Sequence, residues 1–285
     1  MHLSTFSFKS FVGQSLLVGS ALVMLYVVVI QCTVPEITFS QNQNQANTIF
    51  SQNFIYLKDK PSNVVVGSSM AARLKFNKED DIYNLSFGGG GPLSGLEIIR
   101  RSGSMPKSIF IESNVFTMDA DEDFLNTLFT PVLFKLRGKV IALQEKYQVL
   151  NIVGNILYKL AGRSQKEILA QKVDKILLDK FVNQNLNASK TLKINQKLLE
   201  EWKKNIAYFE KQGIKLMFFE MPNDSRLVKT KKREILRKAI KKSFPNIEYR
   251  EENNTDDLYK TGDGTHLTLQ SAMEFTEYFK DIILK

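Results

Sequence analysis

The chain has 285 residues, enough for one sizeable domain with additions, and its 43% hydrophobic and 11% aromatic content is ordinary for a globular core. A single cysteine, Cys32, excludes an internal disulfide, although not export, since exported domains without bridges are common. Lysine and arginine outnumber aspartate and glutamate by 39 to 30, but no nucleic-acid-binding signature accompanies the surplus, so nucleic acid is not an expected partner.

Residues 1–10 form a short amino-terminal segment containing Lys9. No residue between Lys9 and Glu36 is charged, and residues 11–34 are mostly apolar around the run Ala21 to Ile30. A bilayer crossing takes about 20 residues, so residues 11–34 read as a transmembrane anchor, with Lys9 keeping the amino end in the cytoplasm. A cleaved signal peptide is the alternative. No small-x-small cleavage site follows the apolar run, and Gln31 before Cys32 makes a poor lipoprotein acceptor, which favours an uncleaved anchor. Residues 35–60 include the polar tract Ser40 to Asn47 and read as a linker or juxtamembrane segment. Residues 61–285 form the remaining domain, expected outside the cytoplasmic membrane.

From Pro61 onward, strand and helix patterns alternate. Strands are expected near 62–67, 81–86, 107–113, 214–221 and 246–250, and helices near 69–76, 93–102, 192–212, 225–243 and 269–284. Such alternation predicts an α/β fold, a parallel sheet covered by helices on both faces, with ligands at the carboxyl ends of its strands. Residues 119–187 break the alternation with a long, apolar, helical pattern. They read as a helical insertion between the third and fourth strands: a lid, a membrane-facing surface, a partner dock or simply extra packing. Between Lys229 and Lys242, eight basic residues face the single acid Glu234, which places +7 of the chain's +9 charge on an amphipathic helix. A solvated face, anionic headgroups and an anionic polymer all fit that pattern.

Four separated segments carry side chains suited to acyl transfer, which needs a nucleophile, a base, an orienter for the base and donors for a developing oxyanion. Ser69 follows the strand Val64 to Val66 in Val-Gly-Ser-Ser-Met; a helix N-cap is its other reading. Gly89 lies in a four-glycine run after a strand and can bring a backbone N–H close to substrate; a flexible turn is the alternative. Asn114 ends a strand in Glu-Ser-Asn, as an amide donor or a turn residue. His266, the only histidine besides His2, follows Asp263 by three in Asp-Gly-Thr-His, and Asp263 can fix its tautomer. Thr268 reads as the N-cap of the last helix.

Taken together, Ser69, Gly89, Asn114 and Asp263-x-x-His266 resemble the four blocks of the SGNH (GDSL-like) hydrolase and acyltransferase superfamily. Ser69 occupies the place of the serine in Gly-Asp-Ser, although the segment here reads Gly-Ser-Ser, as in membrane-anchored members that handle cell-surface polymers. Gly89 falls five after Asn84, as in the second block. Val115 departs from the Asp that often follows the Asn of the third. The resemblance implies a flavodoxin-like three-layer fold, a Ser69–His266–Asp263 triad, an oxyanion hole from Ser69, Gly89 and Asn114, and neither metal nor cofactor. The expected activity is a serine O-acyltransferase or O-acylesterase acting on a cell-surface glycan, partnered for transfer by a multi-span membrane acyltransferase. Two alternatives are a non-catalytic glycan-binding scaffold of an acylation complex and a lipase or thioesterase.

Overall fold

The computed structural model describes residues 8–161, 174–188, 192, 194–252, 254 and 256–283. The described chain divides into two compact units, one of residues 1–52 with 129–162, the other of residues 53–128 with 163–285.

The second unit holds the sheet. Its strands are β1 (Asn63–Gly67), β2 (Ile82–Ser86), β3 (Ser108–Glu112), β4 (Lys215–Phe219) and β5 (Glu248–Arg250). All pair in parallel, in the order β2-β1-β3-β4-β5. That is the flavodoxin-like order, whose ligand crevice opens at the carboxyl ends of β1 and β3, where the winding reverses. Val64, Val65 and Val66 are all fully buried, which explains why β1 is an unbroken apolar run rather than an alternating one.

Period-two alternation distributes the core to the two faces of the sheet. Phe218 meets Trp202 of α8 (Gln196–Lys211), and its neighbour Phe219 meets Phe279 of α10 (Leu269–Ile283). On the first side, α3 (Pro92–Ser102) also packs on β1, and the Trp202 indole stacks on Phe116 and donates to its carbonyl at 2.9 Å. On the second side, Phe279 meets Phe110, and Phe275 meets Tyr259. Thr268 caps α10 as expected, accepting from the Ser271 N–H at 3.3 Å. The unit is completed by α4 (Glu122–Leu128), α7 (Lys175–Ala188) and α9 (Lys231–Ser243).

The first unit contains α1 (Phe8–Thr33), a helix long and apolar enough to cross a membrane. Val34, at a φ of +41°, and Pro35 end it. With it lie most of α2 (Gln43–Ile55), then α5 (Pro131–Lys139) and α6 (Val149–Leu160).

The elements depart from the sequence expectation in several places; the helix expected at 225–243 is a 3-10 turn, Ser225–Leu227, followed by α9. The segment 35–60 is not merely a linker, because Asn42 accepts from the Gln45 N–H at 2.9 Å and starts α2, which buries Ile49, Phe54 and Ile55. The helix expected at 69–76 shrinks to a single 3-10 turn, Ala71–Arg73, because the backbone is already extended at Leu74. The expected insertion, 119–187, is not one body: residues 129–162 belong to the unit of α1, while α4 and α7 belong to the unit of the sheet. Part of the insertion lies outside the described residues.

Candidate active site

The loops after β1, β2, β3 and β4 converge with the His266 loop on one cavity of about 290 Å³, lined by Ser69, Gly89, Asn114 and His266 among others. Ser69 follows β1. Its Oγ lies 2.7 Å from His266 Nε2, across 197 residues of sequence. On the other edge of the ring, His266 Nδ1 lies 2.7 Å from Asp263 Oδ2. That pair of contacts assigns the Nδ1–H tautomer to the neutral ring, leaving Nε2 free to accept from Ser69. Asp263 Oδ1 accepts from the backbone N–H of His266 at 2.8 Å and of Thr265 at 3.0 Å. Burial acts to raise the Asp263 carboxyl, but the His266 and Thr265 hydrogen bonds outweigh it and hold the group well below its ordinary value.

The loop that carries His266 is shaped from several sides. Its ends meet at a bridge between Thr261 and Leu267, and Gly262 N–H donates to the His266 carbonyl at 2.8 Å. Arg73, in the turn after Ser69, donates to the Leu267 carbonyl at 2.9 Å and so ties base to nucleophile. Gly264 has a φ of +90°, and a Cβ there would collide with Val182 of α7. Only glycine meets both demands.

Behind Ser69 stands a group that the sequence reading missed. Glu112, the last residue of β3, is fully buried, and its Oε2 accepts from the Ser68 N–H at 2.7 Å and the Ala71 N–H at 3.3 Å. Ser68 Oγ contacts both carboxyl oxygens at 3.0 Å. This fixes the roles of the two serines: Ser68 faces inward on Glu112, and Ser69 faces the cavity. Burial pushes the Glu112 carboxyl up, and the bonds from Ser68 and Ala71 only partly offset it. Gly67 is required here by close approach, because a Cβ on it would overlap Glu112 and Ala71. From the other side Asn84 braces the same turn, donating to the carbonyls of Ala71 at 2.8 Å and Leu74 at 3.1 Å.

Among the described residues, the backbone N–H groups of Ser69 and Gly89 have no hydrogen-bond partner, and Gly89 holds a φ of +74°. Asn114 is placed on the same cavity, but its side chain is also held by the backbone. Its Oδ1 accepts from Met221 N–H at 2.7 Å, and its amide donates to the Met221 carbonyl at 2.9 Å and lies 3.3 Å from Asn223 Oδ1.

A second polar cluster shares the cavity wall. Glu220, just after β4, receives Arg233 through Nε at 3.0 Å and Nη2 at 2.5 Å, Arg237 through Nε at 2.8 Å, and the Tyr249 hydroxyl at 2.6 Å. Burial favours the neutral acid, but the two guanidiniums win and hold Glu220 at about 2. Two of the basic residues on α9 thus point into the protein rather than at solvent. The signal was present in their i, i+4 spacing beside the buried Leu236 and Ile240. Among the described residues, no three His, Cys, Asp or Glu side chains cluster in a way that could hold a metal ion.

No protein-family model matches this sequence, and no curated protein shows significant similarity to it.

Proposed function

We propose that the protein is a membrane-anchored serine O-acyltransferase or O-acylesterase of the SGNH type, working outside the cytoplasmic membrane on a cell-surface glycan. The observation that carries the reading is the Ser69–His266–Asp263 relay, two 2.7 Å contacts in line at the mouth of one cavity. In this reading Ser69 Oγ attacks an acyl carbonyl as His266 Nε2 takes its proton. Asp263 stays ionised and stabilises the imidazolium. The N–H groups of Ser69 and Gly89 hold the oxyanion, joined by the Asn114 amide as it exchanges its longer bond to Asn223 Oδ1 for the oxyanion. The intermediate collapses, His266 returns the proton to the departing oxygen, and an acyl ester remains on Ser69. A glycan hydroxyl or water then attacks that ester with His266 again as base, so atoms and charge balance in each half.

The anchor and the glycan come from two separate supports. The span α1 favours a membrane-bound protein, and Lys9 on its amino side favours an extracytoplasmic domain. The glycan and a multi-span acyl-donating partner rest on the family resemblance alone.

The test is labelling of the full chain in detergent with a serine-reactive fluorophosphonate. Wild type and Ser68→Ala are expected to label, and Ser69→Ala is not. Labelling that survives Ser69→Ala sinks the assignment.

A further inference from the structure

The Arg233 side chain is more than nine-tenths buried, and it lines the cavity that holds Ser69 and His266. Its Nε and Nη2 edge is used on Glu220, and Nη2 also donates to the Glu252 carbonyl at 2.7 Å. Its Nη1, on the opposite edge of the guanidinium, is buried and has no hydrogen-bond partner. An orphaned charged donor in a buried position is costly and calls for an acceptor. The neighbouring charges do not supply one. Glu220 is saturated by two guanidiniums, the Tyr249 hydroxyl and the Glu252 N–H. Glu251 is taken by Arg237 at 3.0 Å and Lys241 at 2.5 Å. Lys232, half-buried on the same cavity, makes no ion pair among the described residues. Cations thus exceed carboxylates around this wall. The positive end of α9 adds to the field, since Thr230 and Lys232 at its first turn line the same cavity.

We propose that this wall is an anion subsite, and that the acyl ester or acceptor sugar handled at Ser69 carries an anionic group, a carboxylate or a phosphate, seated on Lys232 and, as the side chains that cover it give way, on Arg233 Nη1. The proposal rests on the acyl-transfer reading for what happens at Ser69, but not for the binding itself. Arg233 is the specificity element because its fork is pre-oriented by Glu220 and donates in a fixed direction.

The test uses the full chain in detergent with three matched acetylated sugars: methyl glucoside, methyl glucuronide and glucose 6-phosphate. Wild type should favour at least one anionic ester over the neutral one by tenfold or more in kcat/KM. Arg233→Gln and Lys232→Gln should each lower that ratio about tenfold, and Arg233→Lys should keep part of it. A purely structural Arg233 would lower stability without moving the ratio. Calorimetry with the unacetylated sugars gives an arm independent of catalysis, in which the anionic sugars bind and methyl glucoside does not. The carboxylate and phosphate arms distinguish the two sources. Hydrolysis of all esters without anion preference, and no preference in binding, overturns the subsite and leaves the acyl-transfer reading standing. Anion binding that depends on Arg233 and Lys232, with no hydrolysis of any ester, supports the subsite and sinks that reading instead.

A second observation, within the first unit, stands independently. Helix α6 is inside out for a water-soluble protein. It buries Asn151 and Asn155 and exposes Val149 at 60%, Leu157 at 60% and Leu160 at 78%. The buried amides are satisfied locally: Asn155 accepts from Thr38 and donates to the Glu36 carbonyl, and Asn151 accepts from Gln41 and donates to the Glu145 carbonyl. The same unit carries the span, whose Tyr26 hydroxyl donates to the Tyr147 carbonyl just before α6. We infer that the apolar face of α6 rests in the headgroup and acyl boundary of the bilayer that α1 crosses. Leu157→Trp and Val153→Trp, each reconstituted in vesicles with brominated acyl chains, should be strongly quenched. The native Trp202 is fully buried and provides the unquenched reference. Water-like emission without quenching in both variants overturns the inference.

Discussion

At the residue scale, the proposed acyl transfer separates the site into groups that would touch substrate and groups that hold them. Losing His266 should cost at least as much turnover as losing an oxyanion donor, on the order of 100- to 1,000-fold. Adding Asp263→Ala to His266→Ala should cost little more, because Asp263 acts only through the ring it orients. Ester hydrolysis by the single and double variants checks this, and full additivity would contradict it. Asn114 carries two duties, as an amide on the cavity and as a clamp on Met221, so Asn114→Ala should lower both turnover and the unfolding temperature. Glu112 is a positioning residue. Glu112→Gln keeps an acceptor for the Ser68 and Ala71 N–H groups, whereas Glu112→Ala orphans them at about 1–3 kcal/mol each. Turnover and stability should therefore fall much further in the alanine variant, read by matched kinetics and thermal unfolding. Equal losses in both would mean that the carboxyl proton itself, rather than the acceptor geometry, matters.

At the element scale, the contact between the end of β4 and α9 is the most electrostatic in the fold. Glu220 sits at about 2 in the folded chain against an ordinary 4.5. A depressed carboxyl stabilises the fold above its unfolded value and loses that contribution as pH falls through its folded value. The expected contribution near neutrality is on the order of 3 kcal/mol. It should fade between about pH 5 and pH 2, and it should be absent from Glu220→Gln. Thermal unfolding of both proteins from pH 7 to pH 3 should show curves that converge as the pH drops. Curves that stay parallel would mean that Glu220 does not carry the acid sensitivity.

At the scale of the whole molecule, much of the architecture was legible because it is written locally. The β-branched run Val64 to Val66, the turn glycines and the apolar span each announce themselves within a short window. The expected α/β class, its parallel sheet and the amino-terminal apolar helix all appear in the structure. Ser69, Asp263 and His266 were legible as a set, because three residue types with joint chemistry sat at element ends. What escaped was whatever depends on partners far away in sequence. Glu112 looks like an ordinary strand end until Ser68 is placed against it. Arg233 and Arg237 look solvated until Glu220 comes beneath them. The polar tract that opens α2 looks like a linker because its helix is stabilised by the Asn42 cap and by burial of Ile49, Phe54 and Ile55, not by a periodic apolar stripe.

The distance in sequence between Ser69 and His266 has a temporal consequence. Ser69 lies just after the first strand and His266 in a loop only three residues before the last helix, 197 positions away. Loops of that length close slowly, since their closure entropy must be met before the contacts they enable form. A chain emerging from synthesis therefore carries Ser69, its braced turn and most of its sheet well before it carries His266. In the proposed acyl transfer such a nascent protein is silent, held inactive by order of assembly. In refolding from denaturant, helical signal should return ahead of fluorophosphonate reactivity at Ser69, and simultaneous return of the two signals would contradict this order of assembly.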